Sequence, residues 1–266
     1  VLLLSWWLGT EFSAALNSLK CANNPGMVGE LYPSGNLKTP DAHAKVFKQL
    51  TDNLKTSQVT EVDFSSCGIG PVGLGHLSEW VREATAAVAS LRCGNNPGMV
   101  GELDEDGNLE TPDAHAEVFK VLTDSMKTSQ VTEADFSSCG LGPVALGHLS
   151  DWVREATAVV ADLNISEAII GDAGATLVEA ISSSSTLNFI TIGKGLRLPL
   201  KDNYDSDVLD GSEKGIEPGG VAVIAWWLTT SAAAAIASID LSGESTLHLV
   251  FPSEPRLPVA FCNRDS

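Results

Sequence analysis

Basic side chains are scarce in this chain: 16 Lys and Arg stand against 34 Asp and Glu, a net charge of -18 and a pI of about 4.5. That balance excludes a generic basic surface for nucleic acid or anionic lipid. Aromatic residues make up only 6%. Cysteine is sparse too, at Cys21, Cys67, Cys93, Cys139 and Cys262. An odd number at this density argues against a disulfide framework, and without a CxxC pair a zinc site is unsupported. Unpaired thiols fit a reducing compartment, so we expect an intracellular, cytoplasmic protein. No catalytic constellation is legible, and no catalytic residue, metal or cofactor is expected. What the chain does have is apolar content, 44% hydrophobic residues over 266, enough for a sizeable core and against intrinsic disorder.

Two uncharged runs invite other readings. Residues 1–8 could serve as the apolar part of a signal peptide, but no basic segment or initiator precedes them. Residues 219–239 are long enough to suggest a membrane span. Internal repetition explains both better. Residues 18–89 and 90–161 are near copies offset by 72: SLKCANNPGMVGEL returns as SLRCGNNPGMVGEL. Inside lies a smaller unit, apolar-x-x-apolar-x-apolar, starting at 16, 59, 88, 131, 160, 187 and 236. The intervals fit a period of 29, lengthened by insertions of 14 and 20 residues. Val62 and Phe64 alternate with polar residues, which predicts a short strand with one buried face. Cys67-Gly68-x-Gly70-Pro71 is a turn into a helix, and Leu74, Leu77, Val81 and Ala84 follow helical spacing. No unit of strand, turn and helix can bury its apolar face alone, so the units must stack.

The motif Val59-x-x-Val62-x-Phe64-x-x-Cys67-x-Ile69-x-x-x-Gly73-x-x-x-Leu77-x-x-x-Val81 resembles the ribonuclease-inhibitor-like class of leucine-rich repeats. That family carries Asn or Cys at the ninth position of each unit. The resemblance covers nearly the whole chain and implies an α/β solenoid, parallel strands on the concave side and helices on the convex side. It implies one domain, 1–266, of about seven units. Trp6-Trp7-Leu8 aligns with Trp226-Trp227-Leu228, so the amino end reads as the last helix of a unit whose strand is missing. Ala168 departs from the family's ninth position, as does the region of Gly195. Extra segments lie at 25–39, 97–111 and 194–213, each expected to form a projecting hairpin or ordered loop. In the first two, Thr39 and Thr111 read as helix N-caps with Pro40 and Pro112 at the first helical position. Ser34-Gly35-Asn36 and Asp106-Gly107-Asn108 read as tight turns. Residues 246–251 are expected to end the stack as a strand or cap, since Pro252, Pro255 and Pro258 cannot continue a ladder.

The cysteines read as small buried hydrophobes. His43, His76, His115 and His148 form repeated pairs without a second ligand at metal spacing, and His248 stands apart. Trp7, Trp80, Trp152 and Trp227 share one helix column, as packing between helices or as interface anchors. Glu102, Asp104, Asp106, Gly107, Leu109 and Asp113 partly match a calcium loop. The sister insertion, with Tyr32, Ser34 and Lys38, loses those ligands while keeping the loop, so the loop does not need metal. Asn164-Ile165-Ser166 is a glycosylation sequon expected to lie in a strand.

These residues point to a protein-interaction scaffold, with a permanent subunit of a larger assembly as the alternative. A GTPase-activating-type regulator is a third reading, because Ran GTPase-activating proteins share the resembled repeat class. On the expected concave side, one outward column reads Lys20, Asp63, Arg92, Asp135, Asn164, Thr191 and Asp240, with charges expected to pair along it. The other reads Ser18, Glu61, Ser90, Glu133, Asp162, Phe189 and Ser238, with no base of its own. Glu61, Asp63, Glu133, Asp135, Asp162 and Phe189 are therefore the expected binding residues. The expected partner is a protein with a basic surface, neither nucleic acid nor membrane.

Overall fold

The structure, a computed structural model, describes residues 1–243. The expectation for 246–251 lies outside the described residues, as do Cys262 and His248. Chain order begins with α1 (Leu2–Leu8), β1 (Ser18–Lys20), the hairpin β2 (Glu30–Leu31) and β3 (Leu37–Thr39), α2 (Ala44–Leu54), β4 (Glu61–Asp63) and α3 (Pro71–Glu83). The same order returns 72 residues later as β5 (Ser90–Arg92), β6 (Glu102–Leu103), β7 (Leu109–Thr111), α4 (Ala116–Lys127), β8 (Glu133–Asp135) and α5 (Pro143–Glu155). There follow β9 (Asp162–Asn164), α6 (Gly174–Ser183), β10 (Phe189–Ile192), β11 (Leu196–Pro199), β12 (Val208–Asp210), α7 (Pro218–Trp227) and β13 (Ser238–Asp240). The described residues thus form an α/β fold with a mostly parallel central sheet and no closed barrel.

The central sheet has the order β1-β4-β5-β8-β9-β10-β11. Its first six strands are parallel and follow chain order, so β4 and β5 are neighbours as the repeat spacing predicts. Each of these six strands turns its second residue inward, and the longer β10 adds Ile192. Leu19, Val62, Leu91, Ala134, Leu163 and Ile190 are in register and buried. They share one core with helix residues such as Leu74, Leu77, Leu146 and Leu149. Successive helices from α1 to α7 pack on one another in series.

Where the ninth position is Asn or Cys, its side chain closes the turn after the strand. Asn96 is buried there; its Oδ1 accepts from the Cys67 and Ile69 N–H groups at 3.1 and 3.0 Å. Its Nδ2 donates to the Phe64 and Cys93 carbonyls at 3.0 and 2.7 Å. The Cys67 and Cys139 thiols donate to the Cys21 and Cys93 carbonyls, each at 3.1 Å. Gly68 follows with φ +73, and a Cβ there would lie 2.4 Å from the Pro25 carbonyl. The first insertion therefore seats directly on the next turn, and only glycine allows it.

Several expectations need correction. Thr39 and Thr111 end β3 and β7 rather than capping a helix, and α2 and α4 start at Ala44 and Ala116, so Pro40 and Pro112 precede them. The capping carboxylates are Asp41 and Asp113, and they serve the following α3 and α5. Asp41 accepts from the N–H groups of Gly70 (2.9 Å), Val72 (2.6 Å) and Gly73 (3.0 Å). Asp113 repeats this with Gly142, Val144 and Ala145. Segments 25–39 and 97–111 do form hairpins, β2–β3 and β6–β7. Segment 194–213 does not project. It supplies β11, which pairs antiparallel with β10 as the sheet's edge, and β12. The strand expected as the seventh parallel member, β13, pairs instead with β12 in a separate parallel pair. Ser238 and Asp240 thus align with Val208 and Asp210, not with Phe189 and Thr191.

Candidate functional site

The face of the central sheet opposite its buried centre carries two columns in register. One runs Ser18, Glu61, Ser90, Glu133, Asp162, Phe189 and Pro199; the other runs Lys20, Asp63, Arg92, Asp135, Asn164, Thr191 and Arg197. All six expected binding residues lie on it. Glu61 and Glu133 are exposed; Asp63, Asp135, Asp162 and Phe189 are half-buried. Between them Ser90 and Thr191 are buried, small side chains shielded by longer neighbours. The sequon residue Asn164 does lie in a strand.

The charge pairing differs from the expected ladder. Arg92 reaches Glu133 at 3.5 Å, across the columns. Asp63 and Asp135 instead accept backbone N–H bonds from Ser65 and Ser137, at 3.0 and 2.9 Å. Asp162 meets Arg197 at 2.6 Å. The Arg197 guanidinium also lies 4.0 Å from the centre of the Phe189 ring. Glu133 and Asp162 are therefore not without basic partners. Arg197 escaped the sequence reading because β11 lies in an insertion and runs antiparallel. Its cue was the alternation Leu196, Leu198 around Arg197. Burial lifts the Asp162 carboxyl above its usual range, and Glu133 and Asp135 add to this, against the opposing pull of Arg197 and Arg92.

Five carboxylates, Glu61, Asp63, Glu133, Asp135 and Asp162, share this face with three cations, Lys20, Arg92 and Arg197. Several other bases are engaged on the helical side. Lys55 pairs with Asp52 and Glu83 at 2.9 and 3.1 Å, and Lys127 with Asp124 and Glu155 at 2.9 and 3.1 Å. Arg154 pairs with Asp151. A depression of about 180 Å³, lined in part by Glu133, Asp135, Asp162 and Thr191, sits mid-face. A larger hollow of about 630 Å³ adjoins it past Arg197 and Phe189.

The remaining candidates are occupied by the fold. Both oxygens of Asp113 cap α5, so the last ligand of the calcium-like pattern is already engaged. Asp104 accepts from the Asp106 and Asn108 N–H groups within its own hairpin. Cys67, Cys93 and Cys139 are buried, and burial pushes all three thiols up, Cys67 to about 12. Such groups stay protonated at neutral pH and are poor nucleophiles. Trp80, Trp152 and Trp227 of that column are fully buried and pack between helices, whereas Trp7 is half-buried and its neighbour Trp6 is 68% exposed. His43 is exposed, and His76, His115 and His148 are half-buried. Among the described residues no helix is long and apolar enough to cross a membrane, the 219–239 run being divided between α7, a turn and β13. No family model and no curated protein matches the chain.

Proposed function

We propose that this chain is a leucine-rich-repeat solenoid and a non-catalytic scaffold, binding a basic protein segment across the open face of its central sheet, with the inserted hairpins beside it. The 29-residue period, the parallel strands in chain order and the Asn or Cys at the ninth position support the repeat class. The observation that carries the binding reading is the surplus of in-register carboxylates on a face whose charged side chains remain exposed or half-buried. Opposite charge across such a face steers encounter and is screened by salt.

The test is charge reversal. The triple variant E61K/E133K/D162K should weaken binding of a lysine- and arginine-rich peptide about tenfold or more at low salt. Circular dichroism should show the variant folded. A folded triple variant that binds as tightly as the parent contradicts the reading.

One observation favours a permanent subunit of a larger assembly. Leu3, Trp6 and Phe12 are 83%, 68% and 77% exposed around α1, an apolar group at one end of the sheet. Sedimentation velocity separates the two readings: a monomer over a wide concentration range favours the scaffold, and self-association abolished by W6S favours the subunit.

A further inference from the structure

The larger hollow beside the sheet is lined by Phe189, Arg197, Pro199, Asp202, Tyr204 and Asp205, among others. Its walls combine two features. The half-buried rings of Phe189 and Tyr204 supply apolar wall, Phe189 with Arg197 over its ring, and Tyr204 is held edge-on against Trp227 at 5.4 Å between ring centres. Asp202 and Asp205 are exposed, and among the described residues neither makes a hydrogen bond or an ion pair. Arg197, the cation in the hollow's lining, is paired with Asp162, so Asp202 and Asp205 are left without an ion pair.

The shared wall shows what such surroundings accept. Arg197 stacks on Phe189 and pairs with Asp162, so one guanidinium is held between a ring and a carboxylate. A planar guanidinium suits that combination, because it stacks on a ring and binds a carboxylate through two donors at once. Across Arg197 the same residue types recur, with Tyr204 as ring and Asp202 and Asp205 as carboxylates that no cation pairs with, Arg197 itself being taken up by Asp162. The hollow's volume of about 630 Å³ accommodates a long side chain.

We infer that this hollow receives an arginine side chain of the bound protein segment. The inference rests on the reading of the open face as a docking surface, and it selects arginine over lysine. Three peptides of equal length serve as probes, with arginine, lysine or the neutral isostere citrulline at the same positions between glycines. Calorimetric titration at low salt should rank them arginine, lysine, citrulline. D202N/D205N should weaken the arginine peptide about fivefold to tenfold and narrow its lead over lysine. Both substitutions sit on exposed loop residues, and circular dichroism checks the fold. If D202N/D205N binds arginine as the parent does while E61K/E133K/D162K loses it, the hollow is not the arginine site and the face reading stands. If no peptide binds the parent, both fall.

Discussion

At the scale of single residues, equivalent positions in the repeats have unequal surroundings. Trp80, Trp152 and Trp227 share a column and are all buried, yet only Trp227 has a partner for its indole N–H, the Pro199 carbonyl at 2.6 Å. The Nε1 atoms of Trp80 and Trp152 are buried without one. An unpaired buried donor carries a desolvation cost, and its removal offsets part of the packing lost on truncation. W227F should therefore destabilise the protein by about 1–2 kcal/mol more than W80F or W152F, a difference urea unfolding can read. The column itself is legible in the sequence. The asymmetry is not, because Pro199 belongs to a segment without counterpart in the other units. The ninth-position thiols were readable for a related reason: their burial follows from position in the period alone.

At the scale of elements, caps and ion pairs tie neighbouring units together. Asp41 and Asp113 each accept three N–H bonds at the start of a helix belonging to the next unit. D113A should cost about 2 kcal/mol, the upper end for a lost cap, and D113N less, since its amide oxygen still accepts; thermal unfolding ranks the two. Asn also tolerates the positive φ of 61° at this position better than Ala. Thr39-Pro40 satisfies the local rule for a helix start and so predicts one there. The true cap lies two residues on and reaches 29 residues away to Gly70, one period, which a local rule does not sample. Within α2 and at its end, bonds from Lys48 and Lys55 hold the Asp52 carboxyl below its ordinary value, and Lys55 reaches on to Glu83 of α3 at 3.1 Å. A depressed folded pKa gives stability that is complete above the unfolded value of about 3.9 and disappears as pH falls through the folded one. D52N should accordingly cost a few tenths of a kcal/mol at pH 7, because the pair is substantially exposed, and less at pH 2. Paired unfolding curves at the two pH values check this.

At the scale of the whole molecule, the period dictated the order of six parallel strands, because each unit must bury one apolar face against the next. It also set the two outward columns, since side chains alternate along a strand. The carboxyl-terminal third was harder to read. The interval of 49 residues reads as one unit with an insertion, whereas the structure divides it into an antiparallel edge strand and a further unit starting at β12. The cue was present: Gly215-Ile216-Glu217-Pro218 matches Gly68-Ile69-Gly70-Pro71, and counting back from it sets Leu209 against Val62. Leu209 is fully buried, as that match requires. Pairing within the open face was only partly legible, because Arg197 arrives from the edge strand and Arg92 crosses between columns. What survives of the sequence reading is the surplus of carboxylates there, and on it the proposed function depends. The most direct measurement is a titration of the isotopically labelled protein with an arginine-rich peptide, followed by amide chemical shifts at low and high salt. Shifts centred on β4, β8, β9 and β10, reversed by salt, are the predicted result; shifts confined to the helical side, or none, contradict the account.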